Sequence, residues 1–524
     1  MSAKHTQRGQ KARRRAASKA VSEVQLKFLI ALGSLAAVKS SPIFRHESRR
    51  VRLKSVYYDT ADFHLYRGGI SLRVRHVGGA FIQTVKRLAG LGLFDRGEWE
   101  SKITGQRPDA SAWAETPVSS ILGDKGVDSL APVFSTAVQR TIRRWKVRSS
   151  LVEISLDQGE LVAGNVRAPI EEVKVELKKG KVTDLFSVAR RLGTDTILKL
   201  TFASQAERGY RLIGQKRSTA QKANTIEISS DMSADAAFAQ AARGCLAQVA
   251  TNAELLGLAR TSISVHQLRV GLRRLQTAFA TFKPLFVNAP PDRLQAEIKW
   301  LVHELNPARD LDVFISNAFN AAKAVPKGDR VLLEFGKCLL RAQSNAYIRS
   351  VAAVDSARFA ALLLDCSEWA EVAPWRRNDG PSMVRVRDGS ASALAIHALD
   401  RFRRQIRKNG KKLTMLEPDA RHKIRIKAKQ LCYAGEFFAA TFANESRKRR
   451  RRFVSSLKTF QDSLGKLSDM ASARQNAAAV AGSSAEISFR AGRVIGARDR
   501  DEPKLLAKAV RAYERWRRVH PFWH

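Results

Sequence analysis

Acid is the scarce ingredient of this sequence. Against 92 lysines and arginines stand 49 aspartates and glutamates, a net charge of +43 over 524 residues. An imbalance of that size says little about fold, but it fixes a class of partner. Such a chain associates with polyanions in a salt-dependent way, and on charge alone nucleic acid, polyphosphate and an anionic membrane all qualify. Cysteine is scarce too. Cys245, Cys338, Cys366 and Cys432 lie far apart with no C-x-x-C pair, and they read as reduced, mostly buried thiols of an intracellular protein. No apolar run approaches the roughly 18 residues of a membrane span. There is no G-x-x-x-x-G-K-[ST] loop and no Ser/His/Asp order. Aromatic residues are sparse on the basic stretches, which disfavours a base-stacking or base-reading nucleic-acid module.

What is present, twice, is a basic helical stripe. His266-Gln267-Leu268-Arg269-Val270-Gly271-Leu272-Arg273-Arg274-Leu275 has a later counterpart in His422-Lys423-Ile424-Arg425-Ile426-Lys427-Ala428-Lys429-Gln430-Leu431. In each, a His is followed three residues on by an Arg and seven on by an Arg or Lys, a spacing that sets them on one helix face. Leu268, Leu272, Leu275 and Phe279 form an apolar stripe roughly opposite, as Ile424 and Leu431 do in the second copy. A lone stripe of this kind is usually a solvated face. Here a second landmark follows each copy: Leu305-Asn306-Pro307-Ala308-Arg309-Asp310-Leu311-Asp312, then Leu464-Gly465-Lys466-Leu467-Ser468-Asp469. The duplication points to two related helical bundles presenting one surface. Neither His has a ligand partner four residues on, so packing or hydrogen bonding to a phosphate is expected of them, rather than metal.

The first 213 residues have a different period. Segments at 23–28, 51–58, 71–75, 81–86, 98–100, 151–157 and 172–177 alternate polar and apolar residues, with Gly78-Gly79 as a hairpin signal. A short helical stretch ends near Ser40. Glu23, Gln25 and Lys27 share a face, as do Arg73 with Arg75, Glu98 with Glu100, Glu153 with Asp157, and Glu172 with Lys174 and Glu176. Two readings stay open from the pattern: a solvated, salt-bridged outer face, or a closed barrel with a charged lumen. In the second, carboxylates hold a divalent metal while Arg and Lys hold phosphate oxygens.

The duplicated motifs, with Tyr433 and Glu436-Phe437-Phe438, resemble the CHAD domain. That resemblance implies an all-α domain of two pseudo-symmetric bundles binding inorganic polyphosphate, here through His266, Arg269, Arg273, Arg274, Arg309, His422, Arg425, Lys427 and Lys429. The first region resembles the CYTH domain, an antiparallel eight-stranded β-barrel known as the triphosphate tunnel. The resemblance rests on Glu23-x-Gln25-x-Lys27, Tyr57-Tyr58-Asp59-Thr60, Gln83-Thr84-Val85-Lys86, Arg96-Gly97-Glu98-Trp99-Glu100, Leu156-Asp157-x-Gly159, Glu172-x-Lys174-x-Glu176 and Ala206-Glu207-Arg208-Gly209-Tyr210. The whole chain is similar to bacterial CYTH–CHAD proteins, some of them inorganic triphosphatases. The fold expected is therefore α+β and multidomain: a basic arm at 1–21, the tunnel domain at 22–213, a linker at 214–232, and a helical domain at 233–524 with halves near 233–373 and 393–524. The segment from Pro374 to Ser392 separates those halves.

The resemblance implies catalytic roles for Glu23, Lys27, Glu172 and Glu176. It implies phosphate contacts from Lys27, Arg73, Arg75, Lys86, Arg140 and Arg208, and Mg²⁺ or Mn²⁺ held by Glu23, Asp157, Glu172 and Glu176 if the tunnel is active, with no cofactor otherwise. Three departures bear on activity. The family has Glu where this chain has Gln25 and Lys174, and Lys where it has Gln205. Two lost metal-side carboxylates and one lost phosphate-side cation point to a tunnel that binds phosphate chains more readily than it cleaves them. The expected partners are inorganic polyphosphate and triphosphate. An active metal-dependent triphosphatase is the first alternative and non-specific nucleic-acid binding the second. A cytoplasmic location is expected, with association to polyphosphate granules as a further expectation.

Overall fold

The computed structural model describes residues 24–45, 48–88, 97–123, 126–194, 196–214, 220–286, 291–322, 330–377, 380–443, 447–481, 492 and 501–524. The basic arm and Glu23 lie outside them. The chain divides into two compact units at Thr219/Ala220.

The first unit is one antiparallel sheet with small helices on it. In chain order its strands are β1 (Val24–Ile30), β2 (Arg49–Asp59), β3 (Ile70–Val77), β4 (Ala80–Arg87), β5 (Glu98–Ile103), β6 (Ala131–Val147), β7 (Ser150–Ala163), β8 (Val166–Lys179) and β9 (Leu198–Leu200). The spatial order is β5-β4-β3-β2-β6-β7-β8-β1-β9. Among the described residues the strand count is therefore nine, not the eight expected. The eight strands β1 to β8 all send side chains into one central cavity. The ninth is a three-residue strand pairing β1, and none of its residues lines that cavity.

Register decides which side chains meet. Arg140 stands opposite Asp157, and Asp157 opposite Glu172. Lys27 stands opposite Lys174, while Gln25, Glu176 and Glu153 form the next row. Outside the lumen the sheet is covered by two apolar clusters. One contains Leu53, Phe134, Val138, Leu161 and Tyr210; the other contains Leu65, Leu72, Val85, Trp113 and Val118.

The element Ala206-Glu207-Arg208-Gly209-Tyr210 shows how local chemistry fixes a site residue. It lies in a helix at Gln205–Ile213. Ser204 caps that helix through a reciprocal box with Glu207, which satisfies amides that would otherwise be orphaned. The Tyr210 hydroxyl donates to Asp59 at 2.9 Å. Asp59 is fully buried and also accepts from the amides of Thr60, Leu65 and Tyr66. Burial and then the Asp59 charge push the Tyr210 phenol well above its usual range. A Cβ on Gly209 would lie 2.2 Å from the Phe134 ring, so only glycine lets the helix seat this closely. That seating delivers Gln205 to the cavity wall and Arg208 to the buried Glu172.

The second unit is helical throughout its labelled elements. Its first half contains α1 (Ala234–Ala259), α2 (Ser262–Thr281), α3 (Asp292–Ala322), α4 (Arg330–Asp355) and α5 (Ala357–Val372). A short helix at Pro381–Asp388 follows, then α6 (Ala391–Gly410), α7 (Pro418–Phe437), α8 (Arg447–Ala481) and α9 (Glu502–Arg517). Ser233, Thr261, Ser356 and Ser390 each cap the helix that follows them, as small hydroxyl residues do at N-termini. The repeat is visible in the packing. α2 packs on α1 and α3, α7 packs on α6 and α8, and the two central helices touch each other. Each half has an aromatic core: Phe238, Phe282, Phe286 and Trp375 in one, Phe453, Phe460, Trp516 and Phe522 in the other. Ile226 and Ile228 of the preceding segment are buried against this unit, where Thr441 Oγ1 donates to the Ile228 carbonyl. The run Arg447–Arg452 is the first turn and a half of α8.

Gly209→Ala is expected to destabilise the first unit by roughly 1–3 kcal/mol through overpacking against Phe134. Thermal or urea denaturation of the full chain checks this: the first unit's transition should fall while that of the second stays in place.

Candidate phosphate-binding sites

The first unit encloses a cavity of about 280 Å³ lined by seven Lys or Arg side chains and four Glu. Behind the lining residues Arg140, Lys174 and Gln205 lies a pair of fully buried carboxylates, Asp157 and Glu172. Asp157 accepts a fork from Arg140, with Nε at 2.6 Å and Nη2 at 2.8 Å. It also accepts from Lys174 Nζ at 2.6 Å. Glu172 accepts from Arg208 at 2.5 Å and Gln205 Nε2 at 3.0 Å, and Lys174 Nζ lies 3.8 Å away. Burial alone would raise both acids. Lys174 and Arg140 overcome it at Asp157, and Lys27, Lys174 and Arg208 overcome it at Glu172, so both sit below the usual carboxylate range.

The facing wall has a second network. Lys86 and Arg73 both reach Glu98, Arg73 lies 3.6 Å from Glu100, and Thr84 Oγ1 donates to Glu100 at 3.0 Å. Arg75 is different. Its Nε donates to Ser55 Oγ at 3.4 Å, and among the described residues it has no ion pair. Burial first, then the neighbouring charges of Arg73 and Arg140, lower it to about 9. This guanidinium is undercompensated and faces the lumen, the condition a phosphate oxygen relieves.

A divalent metal does not fit these residues. Mg²⁺ requires oxygen ligands at about 2.0–2.1 Å in near-octahedral array, yet an ammonium already occupies the approach between Asp157 and Glu172. Glu176 is engaged by Lys178. Among the described residues no group of three or more His, Cys, Asp or Glu side chains could hold a metal ion.

In the second unit both stripes converge on one surface. His266, Arg269 and Arg273 on α2, Arg309 on α3, and His422, Arg425 and Lys429 on α7 act on one another electrostatically. Two acids answer them: Asp310 lies 3.5 Å from Arg269 and Asp469 lies 3.7 Å from Arg425. The arrangement repeats, with equivalent Arg and Asp residues in each half. The Nε atoms of Arg269 and Arg425 are buried and lack a hydrogen-bond acceptor. Buried donors without partners are costly, and here the feature recurs at equivalent positions of the two stripes. Burial, then Arg309, Arg269, Arg273 and Lys429, lower His266 to about 4. Lys429 falls to about 7, through burial and then Arg273, Arg425 and Arg269, against an upward pull from Asp469.

Two expected residues do not join this face. Arg274 is buried, donating to Gln248 at 3.0 Å and lying over the Phe437 ring. Lys427 lies over the Phe402 ring and senses Arg401. One position along a helix turns a side chain by about 100° and two by about 200°, which carries Arg274, next to Arg273, and Lys427, two positions from Arg425 and Lys429, out of the stripe. Sequence reading missed the roles of Asp310 and Asp469, although both lay in the landmarks after each stripe. It also missed Arg421, whose Nε and Nη1 are buried and unpartnered.

The family comparisons agree with this division. The CYTH domain model matches residues 22–210 and the CHAD domain model matches residues 240–478. The chain carries a CYTH domain followed by a CHAD domain. A curated Haemophilus influenzae protein, "Inorganic triphosphatase", is 31% identical over 181 residues, which span 33% of this chain and 48% of that protein. The chain thus spans about half the length of this relative. Among solved structures, the CHAD domain from the plant Ricinus communis is 24% identical, covering 56% of this chain and 96% of that one, at a TM-score of 0.48. PptA from Streptomyces chartreusis is 16% identical, covering 54% and 99%, at a TM-score of 0.39. No helix among the described residues is long and apolar enough to cross a membrane.

An anion that binds beside the depressed Lys429 is expected to bind with proton linkage. An anion favours the charged ammonium, so binding raises a value that starts near 7, and between the free and bound values the complex takes up a proton. Affinity should therefore fall as pH rises above 7. Calorimetry at pH 8 in two buffers of different ionisation enthalpy should show proton uptake on polyphosphate binding, and Lys429→Arg should remove it.

Proposed function

We propose that this protein binds inorganic polyphosphate on the basic face of its CHAD domain and holds a triphosphate or phosphate-chain end in its CYTH tunnel, with hydrolysis weakened. The observation that carries the reading is the pair of equivalent guanidinium groups, Arg269 and Arg425, each buried at Nε without an acceptor and set among cations from three helices. Rigidly held charges that repel one another are relieved by a polyanion, and a flexible phosphate chain can reach all of them. Residue roles follow the geometry. Arg269, Arg273, Arg309, Arg425 and Lys429 contact the chain, and His266 and His422 border it. Arg73, Arg75, Lys86, Arg140, Arg208 and Lys27 hold phosphate in the tunnel.

Arg269→Glu with Arg425→Glu should weaken polyphosphate binding about tenfold or more and flatten the log–log salt slope by about 1.4, two contacts at ~0.7 each for a single-stranded polyanion. Unchanged binding would refute the reading. Duplex DNA at equal charge concentration should fail to displace polyphosphate; displacement would make the protein a general polyanion binder.

A second reading, a metal-dependent inorganic triphosphatase, is favoured by the curated relative named for that activity. Phosphate release from tripolyphosphate with Mg²⁺ or Mn²⁺ separates the two. The unmodified chain should be slow, and Gln25→Glu with Lys174→Glu should be faster by about tenfold or more, the factor set by each 1.36 kcal/mol of regained barrier reduction. Robust release by the unmodified chain would instead establish the enzyme.

A further inference from the structure

We infer that Lys174 serves as a built-in counter-ion in the tunnel, so that this chain takes a triphosphate free of metal rather than as its divalent-metal complex. The inference rests on the proposed phosphate binding in the tunnel and adds the form in which the ligand enters.

The argument starts from position. Lys174 Nζ sits 2.6 Å from Asp157 Oδ2 and 3.8 Å from Glu172 Oε2. It therefore bridges two of the four acids, Asp157 and Glu172, that the resemblance to metal-dependent tunnels assigns to the ion. Its side chain is 17% exposed while both carboxylates are fully covered, so the ammonium is the part of this cluster that faces the lumen. Of its three N–H groups, one is aimed at Asp157, leaving donors for oxygens in the cavity. Arg140 grips Asp157 from the side, and Arg208 with Gln205 grips Glu172. The acids are thus spent on protein cations.

A metal–triphosphate complex brings a divalent cation that needs carboxylate oxygens, and it would meet an ammonium at the place where they should be open. A bare triphosphate brings only oxygens, which match Lys174 below and Arg75 opposite. Among the described residues the other lumen acids do not restore a metal site. Glu98 and Glu100 are engaged by Lys86, Arg73 and Thr84, and Glu153 and Glu176 by Lys178.

The test uses the full chain carrying Arg269→Glu and Arg425→Glu, which suppresses binding at the CHAD domain. Tripolyphosphate is titrated in EDTA and again in excess Mg²⁺; separately, Mn²⁺ alone is titrated and followed by its paramagnetic resonance. In EDTA the Lys174-containing chain should bind tripolyphosphate at least as tightly as in Mg²⁺, and Mn²⁺ alone should stay free. Lys174→Glu should lose EDTA binding by tenfold or more, take up Mn²⁺, and recover tripolyphosphate binding when the metal is added. Lys174→Gln, which adds no third acid to the buried pair, keeps the test open if the Glu variant fails to fold. It should weaken EDTA binding similarly.

If the Lys174-containing chain binds tripolyphosphate only with Mg²⁺, or if it takes up Mn²⁺ itself, the inference is overturned while phosphate binding in the tunnel stands. If Arg75→Ala leaves tripolyphosphate binding untouched in both conditions, the tunnel is not the phosphate site and the underlying reading fails instead.

Discussion

Asp157 and Glu172 organise the tunnel because a carboxylate withdrawn from water must find donors and cations within reach. Neighbouring strands and the helix after β9 converge on them, bringing Arg140, Lys174, Gln205 and Arg208 to fixed distances. The acids in turn set where those cations can stand. Removing either carboxylate would leave like charges facing one another in a covered space, a more damaging change than the loss of one contact. The tunnel is therefore a balanced electrolyte held in place by the sheet register, with Arg75 as its undercompensated cation.

The CHAD domain handles charge in the opposite manner. Its helices place cations side by side with two acids, Asp310 and Asp469, between them. Part of that repulsion is met by lowering proton affinity, as at His266 and Lys429. The remainder is held by helix packing, with Leu268, Leu272 and Leu275 buried behind the first stripe and Ile424 and Leu431 behind the second. The basic surface is thus preorganised by an apolar core on its far side. A ligand that binds it meets cations whose positions have already been fixed.

The sequence was most legible where a period repeats. Strand alternation identified seven of the strands, and the internal repeat exposed both CHAD stripes. β6, the longest strand, escaped because Ala131–Val147 mixes Arg140 on the lumen side with further arginines and Trp145 near its end, which blurs its alternation. Arg274 and Lys427 were misassigned for a geometric reason: positions one or two apart on a helix diverge by about 100° or 200°, and composition does not record which of several nearby cations leaves the stripe. Lys174 stood out in sequence as a departure from the CYTH pattern. What sequence does not contain is its partners, because the Asp157–Lys174 contact depends on the register between β7 and β8. Asp310 and Asp469 were hidden for the same reason, since each meets its Arg across helices.

The strand order also dictates a sequence of assembly. β1 leaves the ribosome first among the strands, yet its neighbours are β8 and β9, so it must wait for its first partner until β8, which ends at Lys179, has been made. The ribbon from β2 to β8 can zip earlier through hairpins and shorter connections, whereas docking β1 requires a long-range closure, the slow kind of step. Lys27 and Gln25 ride on that last strand. The lumen cavity is accordingly completed by the first-made strand arriving latest, and a chain lacking β1 would hold Asp157 and Glu172 without the strand that carries Lys27.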